Sequence, residues 1–169
     1  KRMSRHITED GIKNLIKKIR SAGDISIRSS FILGFPQETD EQFNKLLSFL
    51  EEYKLDNVGF FTYSKEAGTP ASKMSGQIPA KIKNKRLRAA AAVQQKAVIE
   101  NNKKYLNKTL NVLYEGIDYK KNLFYGRTQY NAPDVDTTVY FSGKFADIGN
   151  FYDVKITDIL TYDLKGEIQ

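Results

Sequence analysis

The chain has 169 residues, one histidine, no cysteine, 40% hydrophobic residues and a net charge of +7. Without cysteine there are no disulfides and no thiolate-held zinc or iron–sulfur cluster within this sequence. No apolar run approaches the ~18 residues that a membrane-spanning helix needs. The charge is also divided: residues 1–105 hold 20 basic and 11 acidic side chains, net +9, whereas residues 106–169 hold 7 and 9, net −2.

In chain order, Thr8 reads as a helix cap. Ile12, Leu15, Ile16 and Ile19 follow on one face, and Gly23 closes the helix. Residues 25–33 read as a strand. The continuous run Phe31-Ile32-Leu33 predicts a strand covered on both faces, as in a parallel sheet. Gly34-Phe35-Pro36 turns the chain into a second helix, which Thr39 and Gln42 open as a capping box. Phe43, Leu46, Leu47 and Leu50 form its buried face, and residues 57–63 read as the next strand. This alternation implies a parallel strand pair joined by a right-handed crossover.

Residues 64–78 are a loop rich in Gly, Pro, Ser and Thr. Pro79 then suits the first turn of a long helix to about Tyr105. Its thin stripe of Leu87, Ala91, Gln94, Val98 and Leu106 predicts a connecting helix lying on a domain surface. After Asn107 come five short, alternating, strand-like segments: TLNVLYEGID, LFYGRT, TTVYFSG, FYDVKITDIL and YDLKGEIQ. They predict a small antiparallel barrel or sandwich. The organisation read from the chain is therefore an α/β part at 1–78, a bridging helix at 79–105 and an all-β domain at 106–169. Two strands make too small a sheet to stand alone. Residues 1–78 are thus expected to be the end of a larger parallel sheet or barrel.

The turn Gly34-Phe35-Pro36 with Glu38 is one candidate site. Glycine permits close approach to a ligand, proline fixes the turn, and carboxylates are favoured at a helix N-terminus. The same residues also read as an ordinary tight turn with capping acids, and spacing alone leaves both open. Tyr63 and Ser64 end the neighbouring strand and could hold a purine or ribose; they also fit a plain polar strand end. His6, Arg2 and Arg5 read as surface residues more readily than as a base or phosphate ligands. No residue set here points to a catalytic acid or base, or to a metal site. In the all-β part, Tyr125, Arg127 and Tyr130 give the aromatic–basic mixture that OB-like barrels stack on bases. Asp134 and Asp136 oppose that, since carboxylates repel phosphate and attract basic peptide; they also read as turn and strand-entry residues.

Taken in order, KRMSR, SSFILGFPQET, GFFTYSKEAGTPA, YGRTQYNAPDVD and YDLKGE resemble the C-terminal half of the radical-SAM methylthiotransferases, nearly end to end. The resemblance implies that 1–78 are the last βα units of a radical-SAM TIM-like barrel. It also implies that residues from about 106 form a TRAM domain, an OB-like barrel. The family uses S-adenosylmethionine and two 4Fe–4S clusters, whose cysteines lie upstream of Lys1 in this pattern. No cluster and no independent activity are therefore expected of this chain. By carry-over, Gly34, Phe35, Pro36, Glu38, Tyr63 and Ser64 contribute to the S-adenosylmethionine pocket. Tyr125, Arg127, Tyr130, Asp134 and Asp136 belong to the substrate-recognising domain.

Two branches differ in substrate: one modifies adenosine in tRNA, the other methylthiolates an aspartate of a small-subunit ribosomal protein. GRTQYNAPDVD with YDLKGE, and Glu66 where the tRNA branch usually has arginine, resemble the ribosomal-protein branch. Thr137-Thr138 depart from the glycine that the family usually carries. A mildly acidic domain suits a basic protein partner better than RNA. The expected partners are that ribosomal protein and the upstream part of the same polypeptide, in the cytoplasm and away from membranes. The tRNA-modifying sibling remains an alternative. So does a non-enzymatic RNA-binding module, in which Lys81, Lys83, Lys85, Arg86 and Arg88 would meet phosphates.

Overall fold

The computed structural model describes residues 6–144 and 147–169. Arg2, Arg5 and the KRMSR stretch lie outside the described residues. Helix α1 spans Glu9–Ala22, strand β1 Arg28–Leu33, helix α2 Asp40–Tyr53 and strand β2 Asn57–Thr62. The long helix α3 spans Ala80–Asn102, and a short 3₁₀ turn at Lys103–Tyr105 follows it. Strands β3 (Thr109–Asp118), β4 (Leu123–Arg127), β5 (Val139–Ser142), β6 (Phe151–Leu160) and β7 (Asp163–Ile168) complete the chain.

The caps form where the sequence places them. The Thr8 side chain accepts from the Gly11 N–H, and Thr39 with Gln42 closes a reciprocal capping box on α2. Strands β1 and β2 pair in parallel, with Phe31 opposite Phe60 and Leu33 opposite Thr62. One face of this pair packs on α2 and α3. Leu33, Phe43, Leu50 and Ala90 form its buried centre, with Phe31, Val58 and Phe60 against them.

The expectation of a strand covered on both faces does not hold for the described residues. Alternation along β1 leaves Arg28, Ser30 and Ile32 exposed, and their register partners on β2 include Phe61, 58% exposed. Both helices that cover the pair lie on one side of it, so every second side chain of β1 meets solvent, as does Phe61 of β2.

Helix α3 packs against α2 and β2; Gln94 and Val98 of the expected stripe are buried, and so are Arg86, Ala90, Ala97 and Asn102, which lie outside it. Leu106, expected in the stripe, is 40% exposed. Polar side chains of α3 reach backbone carbonyls on both parts of the chain: Gln94 donates to Leu55 O at 2.8 Å, and Asn102 to Tyr162 O, in the β6–β7 turn, at 3.2 Å.

The five C-terminal strands close into a barrel in the order β3-β4-β5-β7-β6. Four of its pairings are antiparallel, but β5 and β7 run parallel, which corrects the all-antiparallel expectation. The inward residues Val112, Tyr114, Val139, Phe141, Val154, Ile156 and Leu164 fill the interior as one cluster. Closure requires a glycine at 126, because a Cβ there would collide with the carbonyl of Leu113 on β3.

Candidate functional site

The parallel register brings two of the predicted regions together. The turn after β1 and the end of β2 are adjacent, joined by the Tyr63 N–H donating to Leu33 O at 2.8 Å. Gly34 has a left-handed φ of 73° and is buried. A Cβ at Gly34 would come within 2.5 Å of Lys83 Cγ, so the close approach that glycine permits is to α3. The Gly34 N–H donates to both carboxylate oxygens of Glu38 at 3.1 Å. Pro36 is buried and the Phe35 ring sits 5.2 Å, edge to face, from that of Tyr63. Ser64 is exposed and donates to Glu66 at 2.7 Å.

Two basic residues of α3 support this turn. Arg86 is 5% exposed; its guanidinium donates to Glu38 Oε1 at 2.6 Å and to Asp40 Oδ1 at 2.7 Å. Lys83 Nζ donates to Tyr63 O at 2.6 Å. The alternative reading as an RNA-binding module placed both in a row of phosphate-binding cations. The structure withdraws them from it and leaves Lys81, Lys85 and Arg88 exposed. The signal available in the sequence was the helical spacing of Lys83 and Arg86 opposite an acidic helix start, but it does not separate an internal pair from a surface one.

The second group of predicted residues lies on the barrel and its β4–β5 loop. Tyr125 faces outward on β4, and Arg127 Nε donates to Glu115 at 2.7 Å. The Tyr130 ring stacks 6.0 Å from that of Tyr105, with Lys104 Nζ 4.8 Å from the Tyr105 centroid and 5.8 Å from that of Tyr130. Lys104 also reaches Asp24 at 2.6 Å. Burial opposes the charge on Lys104, yet the Asp24 carboxylate and the Tyr105 hydroxyl beside it carry its pKa above the ordinary lysine value. Burial likewise raises the Tyr105 hydroxyl.

Asp134 is exposed at the loop tip, with a left-handed φ of 62°. Asp136 is different: its side chain is 4% exposed. One of its oxygens pairs with Arg28 of β1, and the other accepts from the Ala132 N–H at 2.7 Å. Asp136 therefore closes its own loop and ties the barrel to the parallel strands. At the departure noted after it, the Thr138 N–H donates to Asp163 at 2.9 Å. Between barrel and sheet lies a cleft of about 450 Å³, walled by Ser30, Gly59, Phe61, Val135 and Tyr162.

The Tyr63 hydroxyl is buried with no hydrogen-bond partner among the described residues. An orphaned hydroxyl beside an aromatic ring suits a polar aromatic ligand, so these residues fit a nucleoside group. For iron–sulfur clusters the donor set does not fit: the chain has no cysteine, and the described residues hold no metal-binding group of three His, Asp or Glu.

A family model for the TRAM domain matches residues 108–168, the span of the closed barrel. The ribosomal protein uS12 methylthiotransferase RimO of Desulforamulus reducens is 43% identical over 169 residues, covering 98% of this chain and 38% of that protein. Nearly the whole chain is thus similar to part of the RimO methylthiotransferases. RimO of Clostridium botulinum strain Eklund 17B is 44% identical over 100% of the chain and 38% of its own length. RimO of Heliobacterium modesticaldum is 41% identical over 98% and 36%. The chain thus spans somewhat more than a third of the length of the RimO relatives it matches. The similarity embraces the α/β part as well as the TRAM domain, as the sequence resemblance implied.

Proposed function

We propose that this chain is the C-terminal part of a uS12 methylthiotransferase, joining the last βα units of a radical-SAM barrel to a TRAM domain. The observation that carries this reading is the identity with RimO proteins across both parts in one order. The parallel β1–β2 pair with its uncovered face supports it, since such a pair suits the end of a larger sheet.

In this reading the turn at Gly34, Phe35, Pro36 and Glu38, with Tyr63 and Ser64, walls the S-adenosylmethionine pocket at the C-terminal strand ends. Phe35 and Tyr63 offer ring faces, and the Tyr63 hydroxyl offers an unpaired polar atom. Glu38 acts indirectly, by holding the Gly34 amide. S-adenosylmethionine and the two clusters supply hydrogen abstraction and sulfur insertion; this chain contributes no thiolate to either cluster. The TRAM domain meets the basic ribosomal protein through Tyr125 and Arg127 on β4 and through Tyr130 and Asp134 on the following loop, which Asp136 fixes. The net −2 of residues 106–169 favours a basic protein over RNA. The site of action is the cytoplasm, where ribosomal proteins are made.

The full-length gene product, reconstituted with iron, sulfide and S-adenosylmethionine, is expected to add one methylthio group to an aspartate of uS12, read by peptide mass spectrometry. Methylthiolated adenosine in tRNA, with uS12 untouched, would assign the chain to the tRNA branch instead.

A further inference from the structure

We infer that Arg86 and Lys83 of α3 are positioning residues that set the backbone of the turn after β1 and the end of β2. The inference rests on the reading of those strand ends as the cofactor-pocket wall.

A guanidinium is retained in the interior only when its charge is paired. Arg86 meets that condition with two carboxylates, and the Glu38 carbonyl lies 3.3 Å from both Nη1 and Nη2; its Nε is buried with no partner among the described residues. Glu38 then passes the constraint on, because both its oxygens accept from the Gly34 N–H. The relay Arg86–Glu38–Gly34 runs from α3 to the end of β1. Lys83, three residues earlier on the same helix face, serves the other strand. Its stem occupies the space beside Gly34, and its ammonium holds the Tyr63 carbonyl and lies 5.1 Å from the Tyr63 ring centroid. Two neighbours on one helix thus each hold one strand end.

A cation serving only solubility would stay exposed, as Lys81, Lys85 and Arg88 do. The consequence of burying Arg86 and engaging Lys83 is a fixed spacing between Phe35 and Tyr63, the rings that face the proposed nucleoside. Supporting contacts of this kind matter because a misplacement of about 1 Å at a site costs as much as ~100-fold in function.

The test uses the full-length enzyme with Arg86→Met and Arg86→Lys. Three readouts are taken: Gly34 amide hydrogen exchange, S-adenosylmethionine affinity by equilibrium dialysis, and the KM for uS12. Loss of a charge-assisted hydrogen bond relay is expected to speed Gly34 exchange by roughly tenfold or more. Affinity for S-adenosylmethionine should fall about tenfold, with the KM for uS12 within about twofold of wild type. Lysine restores the charge but not the planar fork, so its rescue should be partial. If the methionine variant does not fold, the lysine variant decides. Unchanged Gly34 exchange overturns the relay, whatever happens to cofactor affinity. Faster exchange with unchanged affinity overturns the positioning role in cofactor binding. A wild-type enzyme that does not bind S-adenosylmethionine overturns the pocket reading alone, and Gly34 exchange still decides the relay.

Discussion

Asp136 bears its charge in a place where solvent barely reaches it, and both its oxygens are engaged. Arg28, its partner, is about half exposed. The two ends of this pair should therefore differ in cost. Asp136→Ala strands the Ala132 amide but frees the half-exposed Arg28 guanidinium to solvent, and should destabilise by about 2 kcal/mol. Arg28→Ala leaves the shielded Asp136 carboxylate without its counter-charge and should cost more, about 3 kcal/mol. Urea denaturation of the two variants measures the difference; a smaller cost for Arg28→Ala would show that solvent screens Asp136 once the arginine is gone. Lys104 and Tyr105 make a second residue-level case. Both have pKa values above their ordinary 10.5 and 10.0 in the folded chain, the tyrosine chiefly through burial. The folded state thus holds protons that the unfolded state has released. Their contribution is complete below about pH 10 and is lost as the pH rises through the folded values. Lys104→Met should remove the lysine's share of the fall in stability above about pH 10, leaving that of Tyr105, followed by thermal denaturation across alkaline pH.

At the level of elements, the barrel depends on close strand approach at Gly126. Gly126→Ala would force its methyl into the Leu113 carbonyl on β3, and such overpacking should cost about 3 kcal/mol. The loss should appear as a lowered denaturation midpoint and as faster amide exchange in β3 and β4. The sequence made these strands legible because each alternates inward and outward residues between turn residues, as Val112, Tyr114 and Gly116 do on β3. It made the caps legible because Thr39 and Gln42 act within one turn. The parallel β5–β7 pair was not legible, since strand direction follows from closure of the whole barrel. Helix α3 was legible only in part for a related reason. Its buried face includes Arg86, Gln94 and Asn102, whose partners Glu38, Leu55 and Tyr162 lie 39 to 60 residues away. Hydropathy patterning records local order, so the stripe included Gln94 but not Arg86 or Asn102. The predicted cofactor residues did gather at adjoining strand ends, because one parallel register fixes both.

For the whole molecule, the question is which macromolecule the net charge of +7 would serve. An RNA-binding module on α3 would need its cations on a common surface. Burial of Arg86 and capture of Lys83 by Tyr63 leave three of the five, Lys81, Lys85 and Arg88. Each phosphate contact contributes about −0.7 to the slope of log K against log salt for single strands. Three contacts give a slope of about −2, against about −3.5 if all five engaged. Fluorescence titration of labelled single-stranded RNA between 50 and 200 mM salt should give the shallower slope. Lys81→Glu, Lys85→Glu and Arg88→Glu combined should abolish that binding while leaving uS12 association to the barrel loop unchanged. A slope near −3.5, or loss of uS12 binding in the triple variant, would move recognition from the acidic barrel to the basic helix. Retained uS12 binding would instead place the working surface between Tyr130 and Asp134, on the loop that Asp136 anchors to β1.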